Sequence, residues 1–111
     1  MKKAPIPEND DERLEELYKY MVLDTVNERV FDDITELVSE ICDVKIALVS
    51  LVDKDRQWFK SSYGLDAKET PRDISYCGHA IMGDDLFIVE DATEDDRFCD
   101  NPLLLNAPHV R

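Results

Sequence analysis

Cys77-Gly78-His79 is the tightest cluster of chemically capable side chains in the 111-residue chain. A thiol near a helix N-terminus gains thiolate character, because the helix dipole favours negative charge there. A histidine two residues further along a helix points away from that thiol. A Cys–His nucleophilic pair would therefore need an extended segment. Two readings stay open: a pocket wall in which His79 exchanges a hydrogen bond with a ligand, or a packed thiol beside a satisfied histidine. Ser50 is the lone hydroxyl on an otherwise apolar strand face, so it is either a polar contact in a pocket or a satisfied buried group. Trp58 and Phe59 offer large apolar area, and the indole adds one N–H donor. Strand alternation lets only one of the two face a pocket, and both also suit a core. Asp91 either accepts from a ligand or caps the turn after it. Cys77, His79, Cys99 and His109 lack the paired spacing of a zinc site. No phosphate-binding glycine loop, dinucleotide fingerprint, nucleophile elbow or His-Glu-x-x-His occurs.

The elements that must position these groups are legible from periodicity. Leu14, Leu17, Tyr18 and Met21 recur at helical spacing from Asp10, with Asn9 or Asp10 as cap. A second helix is expected after Thr25 or Asn27. There Val30, Phe31, Ile34, Leu37, Val38 and Ile41 form a broad stripe that should pack beneath a sheet. Cys42 adjoins the stripe as a small core hydrophobe. Two apolar runs between Val44 and Leu65 flank Asp53-Lys54-Asp55-Arg56 and predict a β-hairpin. Ile46, Leu48, Ser50 and Val52 share one face of the first arm, and Ala47, Val49 and Leu51 share the other. Both faces are largely apolar, so the strand should be covered on both sides. In the second arm Trp58, Lys60 and Ser62 oppose Gln57, Phe59 and Ser61.

Gly64 and Pro71 bracket a polar loop, in which Arg72 and Asp73 are expected to form an exposed ion pair worth ~0–1 kcal/mol. Ser75 should cap a short helix whose inner face includes Cys77 or Gly78, Ala80 and Ile81, ended by Gly83 in the left-handed conformation. Leu86–Val89 reads as a third, buried strand. Thr93 is the expected cap of a turn over 93–98.

Thirteen basic and 26 acidic residues give a formal charge of −13. Nucleic acid and anionic membrane surfaces would be repelled at long range. No stretch approaches the ~18–20 consecutive apolar residues of a membrane span, and the Lys-containing start lacks the apolar core of a signal peptide. Three cysteines without close pairing point to reduced thiols and a cytoplasmic setting.

Several words of the sequence are specific in combination. They are Leu23-Asp24-Thr25, Ile46-Ala47-Leu48-Val49-Ser50-Leu51-Val52-Asp53, Asp55-Arg56-Gln57-Trp58-Phe59-Lys60-Ser61, Glu69-Thr70-Pro71-Arg72-Asp73, Ser75-Tyr76-Cys77-Gly78-His79-Ala80-Ile81, Val89-Glu90-Asp91-Ala92, Asp96-Arg97-Phe98 and Asp100-Asn101-Pro102. In order and wording the chain resembles, from about residue 20 onward, the GAF family of small-molecule sensor domains. The resemblance is to the subgroup found in bacterial sensor histidine kinases and diguanylate cyclases or phosphodiesterases.

The resemblance implies an α+β fold, an α/β sandwich whose central antiparallel sheet of five or six strands carries helices on one face and a ligand pocket on the other. It implies a lead-in and helix over 1–24 and a sensor domain over 25–111. The family's last strands and terminal helix are expected beyond Arg111 or from a partner chain. The implied function is non-enzymatic: a ligand of unknown identity shifts a conformational population and so controls a kinase or diguanylate cyclase output in two-component or cyclic di-GMP signalling, with a homodimer as the working unit. The candidate ligand-binding set is Ser50, Trp58, Tyr76, Cys77, His79 and Asp91. No cofactor or metal is expected. The Asn-Lys-Phe-Asp-Glu set of cyclic-nucleotide-binding members is absent. A free methionine-R-sulfoxide reductase using Cys77 and Cys99 is the enzymatic alternative. Bilin attachment through Cys77 is disfavoured because the adjacent Cys-His pair is lacking.

Overall fold

The computed structural model describes residues 2–106. Helix α1 spans Asp10–Lys19 and α2 spans Arg29–Cys42. Strand β1, Ala47–Val52, and β2, Arg56–Tyr63, form the hairpin; β3, Glu69–Pro71, pairs with the start of β2. After a 3-10 turn at Arg72–Ile74 come α3, Tyr76–Ala80, a second 3-10 turn at Ala92–Glu94, and α4, Pro102–Leu105. The sheet is antiparallel in the order β1-β2-β3, three strands among the described residues. Helices and sheet together make an α+β fold. His109 and Arg111, considered in the sequence analysis, lie outside the described residues.

The hairpin closes as its turn residues predict: the Asp53 N–H donates to the Arg56 carbonyl at 2.8 Å, and Arg56 Nε donates to Asp53 Oδ2 at 2.9 Å. Its register slips once. Val49 faces Ser61 but Ser50 faces Phe59, so Lys60 has no opposing residue. This bulge breaks the simple alternation expected of β2. Ser61 therefore does not join Gln57 and Phe59, but reaches α2, as Lys60 reaches the segment before it. Gly64 leaves β2 at φ +78°, where a Cβ would stand 1.9 Å from the Lys45 carbonyl oxygen, so only glycine fits.

Helix α2 lies on the sheet by the face opposite to the one its periodicity suggests. Thr35 and Ser39 are buried, whereas Val30, Ile34, Leu37, Val38 and Ile41 are exposed. The contact is polar: Thr35 Oγ1 and Ser61 Oγ lie 2.9 Å apart, and Ser61 Oγ donates to Asp32 Oδ1 at 2.6 Å. Cys42, expected in the core, is exposed at the helix end. The physical reason is geometric. Ser39 Oγ donates to the Val44 carbonyl, and left-handed Asp43 turns the chain directly into β1, which fixes the helix by its small polar side.

Four further expectations are corrected. Leu86–Val89 is not a strand, and Leu86 and Ile88 are exposed; only Phe87 and Val89 turn inward, onto a small core of Ala92, Phe98 and Leu104. Gly83 does not adopt a positive φ, and α3 stops at Ala80 with right-handed Ile81 after it. Met21 lies beyond α1 with φ 51° and is exposed. Arg72 pairs not with Asp73 but with Asp10 of α1, two guanidinium nitrogens meeting both carboxylate oxygens at 2.9 and 2.8 Å. Arg13 Nη1 adds a 2.6 Å bond to the Val52 carbonyl, and Tyr18 donates to Asp53 at 2.7 Å. These three residues latch α1 to the hairpin turn.

Candidate functional site

Alternation along β1 and β2 sends Ile46, Leu48, Gln57 and Phe59 to the sheet face away from α2. There they line a cavity of about 280 Å³, closed by Leu65 and Ala67 of the β2–β3 connection, Thr70 of β3, Tyr76 and Cys77 of α3, and Leu103 of α4. Helix α3 is held over this face by local chemistry. Ser75 caps it, its Oγ accepting from the Gly78 N–H at 3.0 Å and donating to the Arg72 carbonyl at 2.6 Å. Gly78 must lack a side chain, because a Cβ would stand 2.6 Å from Ala4 Cβ and 2.7 Å from Ser75 Oγ.

The six residues singled out by sequence do not all gather at this cavity. Tyr76 and Cys77 line the cavity, and Ser50 Oγ lies 3.4 Å from Cys77 Sγ at its wall. Burial pushes the Tyr76 phenol above its ordinary pKa, which keeps it protonated at neutral pH. His79 points elsewhere: its ring stands edge-on to Phe98 with centroids 4.8 Å apart, and burial lowers its pKa. Asp91 Oδ1 accepts from the Thr93 N–H at 2.9 Å and the Thr93 hydroxyl at 2.5 Å, so Asp91, not Thr93, caps the turn. Trp58 is buried on the other side of the sheet, beside Asp24, Thr25 and Val26. Of the two aromatics, Phe59 is the one that lines the cavity.

Sequence reasoning missed Gln57 and Thr70. Gln57 was placed on the correct strand face, but an amide among apolar residues carries no distinguishing pattern. Thr70 lies on a strand of three residues ending in proline, which reads as loop until a neighbour pairs with it. Its hydroxyl oxygen is buried and has no hydrogen-bond partner among the described residues.

A larger groove of about 760 Å³ opens on the α2 side, between Leu17 of α1, Tyr20 just beyond it, Phe31 of α2 and Val49 and Leu51 of β1. Of the two cations lining it, Arg13 and Lys60, Lys60 is nearly fully buried and already engaged, with Thr25 Oγ1, the Val26 carbonyl and Glu28 each at 2.7 Å. No cluster of three or more His, Cys, Asp or Glu among the described residues could hold a metal ion. No helix among them is long and apolar enough to cross a membrane. Cys99 is exposed, whereas Cys77 is partly buried at the cavity wall.

Residues 27–111 match the GAF domain family, to which the chain belongs. Along all 111 residues it is 39% identical to a cyclic di-GMP phosphodiesterase of Pseudomonas aeruginosa. The chain spans 19% of that relative's length.

Proposed function

We propose that this chain is a sensor domain of a bacterial signalling protein, in which a small molecule occupies the cavity between β1, β2 and α3. The observation that carries the reading is the cavity itself. Two walls of apolar side chains converge without filling the space between them, and α3 is held above by a cap rather than by packing into the gap. Occupancy would favour one placement of α3 and the neighbouring connections over another, and so bias an attached output domain. Membership of the GAF family and the likeness to part of a cyclic di-GMP phosphodiesterase support an output of the kinase, diguanylate cyclase or phosphodiesterase type. The domain division at 24/25, the cytoplasmic setting and a homodimer belong to the same proposal. The apolar side chains exposed along α2 are the surface such a dimer would bury, and sedimentation velocity reads it.

Native mass spectrometry of protein purified from cells tests the reading. The expected result is a non-covalent guest on the wild type that is lost from a Leu48→Trp variant, whose indole fills the cavity. A wild type free of any guest, with a melting temperature unmoved across a small-molecule library, would refute it. Thioredoxin-dependent turnover of free methionine sulfoxide that vanishes in Cys77→Ser would replace it with the reductase alternative.

A further inference from the structure

One amide on the cavity wall is left without a partner. Gln57 lies on the central strand, opposite Val52 in one ladder and Thr70 in the other, so its backbone is fixed from both sides. Its side chain lines the cavity with 5% of the residue exposed, and among the described residues it makes no hydrogen bond. Two other polar groups of the wall cannot receive a guest as it can. The Cys77 thiol is met by Ser50 Oγ at 3.4 Å, and the Thr70 hydroxyl is sealed from the cavity. The Gln57 amide is not among the sealed atoms. A buried amide without partners is unfavourable, and native proteins keep few of them without a reason.

The form of the amide restricts what can pair with it. It presents a carbonyl acceptor and an N–H donor side by side in one plane. A guest that satisfies both carries the complementary pair on a single edge. A trans secondary amide holds its N–H and C=O on opposite sides and meets only one of them. A primary amide or a lactam ring holds them on the same side. A carboxylate offers acceptors alone and adds a charge. Among the described residues lining the cavity there is no Asp, Glu, Lys, Arg or His. An ionised guest would therefore give up its hydration and meet no counter-charge, and an anion would approach against a formal charge of −13. Phe59 and Tyr76 add aromatic surface that suits a flat guest, and about 280 Å³ admits a small ring system.

Resting on the sensor reading above, we propose that Gln57 is the recognition residue of the cavity. Its amide pairs edge to edge with an uncharged, flat guest that carries adjacent N–H and C=O groups, a primary amide or a lactam.

Benzamide, acetophenone and benzoate share one shape and differ at the edge that meets Gln57: donor with acceptor, acceptor alone, and charged acceptors. Oxindole adds a lactam ring. Calorimetric titration of the full chain should place benzamide and oxindole roughly tenfold above acetophenone, the worth of about one hydrogen bond, and should show benzoate rejected. Gln57→Met keeps the length of the side chain and removes the amide; Gln57→Leu removes it with a different shape. In both variants the preference for benzamide over acetophenone should vanish. Without ligand neither should melt below wild type, because no hydrogen bond within the protein is lost. Acetophenone bound as tightly as benzamide by the wild type, or a benzamide preference that survives in the variants, overturns the recognition role. A ligand-free melting temperature several degrees lower in both variants shows the amide held by the protein itself and overturns it too. Tighter binding of benzoate than of benzamide overturns the ligand class. Failure of all four probes while native mass spectrometry still shows a guest refutes this inference and leaves the sensor reading standing; failure of both removes both.

Discussion

The two faces of one small sheet are built on opposite terms. Where α2 and the segment before it touch the sheet the contacts are polar and hydrogen-bonded: Thr35 with Ser61, Ser61 with Asp32, and Lys60 with three oxygen partners at 2.7 Å. On the cavity side the walls are apolar, and a hydroxyl is left unpaired. Hydrogen bonds demand distance and angle, so the first face fixes one orientation of α2 and one register of the bulge. Apolar contact is non-directional, so the second face can enclose space and adjust to a guest.

The largest expected break in this contrast is on the cavity side. Phe98 is fully buried and takes the edges of Tyr76, His79 and Phe87, so it anchors the segment that carries α3. Phe98→Ala should cost ~3–5 kcal/mol in urea unfolding and abolish guest binding as well. A loss below ~1 kcal/mol would show that the roof is held from elsewhere.

Acid should next dissolve the latch between α1 and the hairpin turn. The Arg72 hydrogen bond holds the Asp10 carboxyl below its ordinary value of 3.8, outweighing the opposing effect of burial. For Asp53 burial pushes the pKa up, but the bonds from Tyr18, Arg56 and the Lys54 amide prevail and lower it. Carboxylates with depressed folded-state pKa values contribute stability that is fully present above the unfolded value and lost as pH falls through the folded one. The melting temperature should therefore hold above about pH 4 and fall below it, with a shallower acid slope in Asp10→Asn. Equal slopes in the two proteins would remove Asp10 from the account.

On the polar face, Thr35→Val deletes one buried hydroxyl contact at nearly constant volume and should cost ~1 kcal/mol. The smallest effect is expected at Leu37, which is 54% exposed on α2. Leu37→Ala should change stability by no more than ~0.5 kcal/mol in urea unfolding. A cost of several kcal/mol there would mean that the apolar stripe is covered after all, and that the contrast between the faces is not the one described.

Much of the frame was legible beforehand because it depends on neighbours in sequence. The hairpin turn over Asp53–Arg56, the Ser75 cap and the extent of α2 all follow from residues within a few positions of one another. Part of the cavity lining was legible for the same reason: Tyr76 and Cys77 do face it, with Ser50 against the Cys77 thiol. The misses involve partners distant in the chain. Arg72 was given its neighbour Asp73, whereas its carboxylate is 62 positions away. Trp58 and Phe59 were separable only as opposites, and the side on which α3 would lie decided between them.

By itself the sequence determined the family, the two long helices, the short one after Ser75, the hairpin, and the existence of an apolar stripe along α2. Only the tertiary structure decided that this stripe faces outward, that Leu86–Val89 stays irregular, and that a three-residue strand delivers Thr70 to the cavity. Periodicity records which side chains share a face, because that follows from the geometry of one element. What covers that face depends on surfaces brought together by the rest of the chain, and no local pattern encodes them.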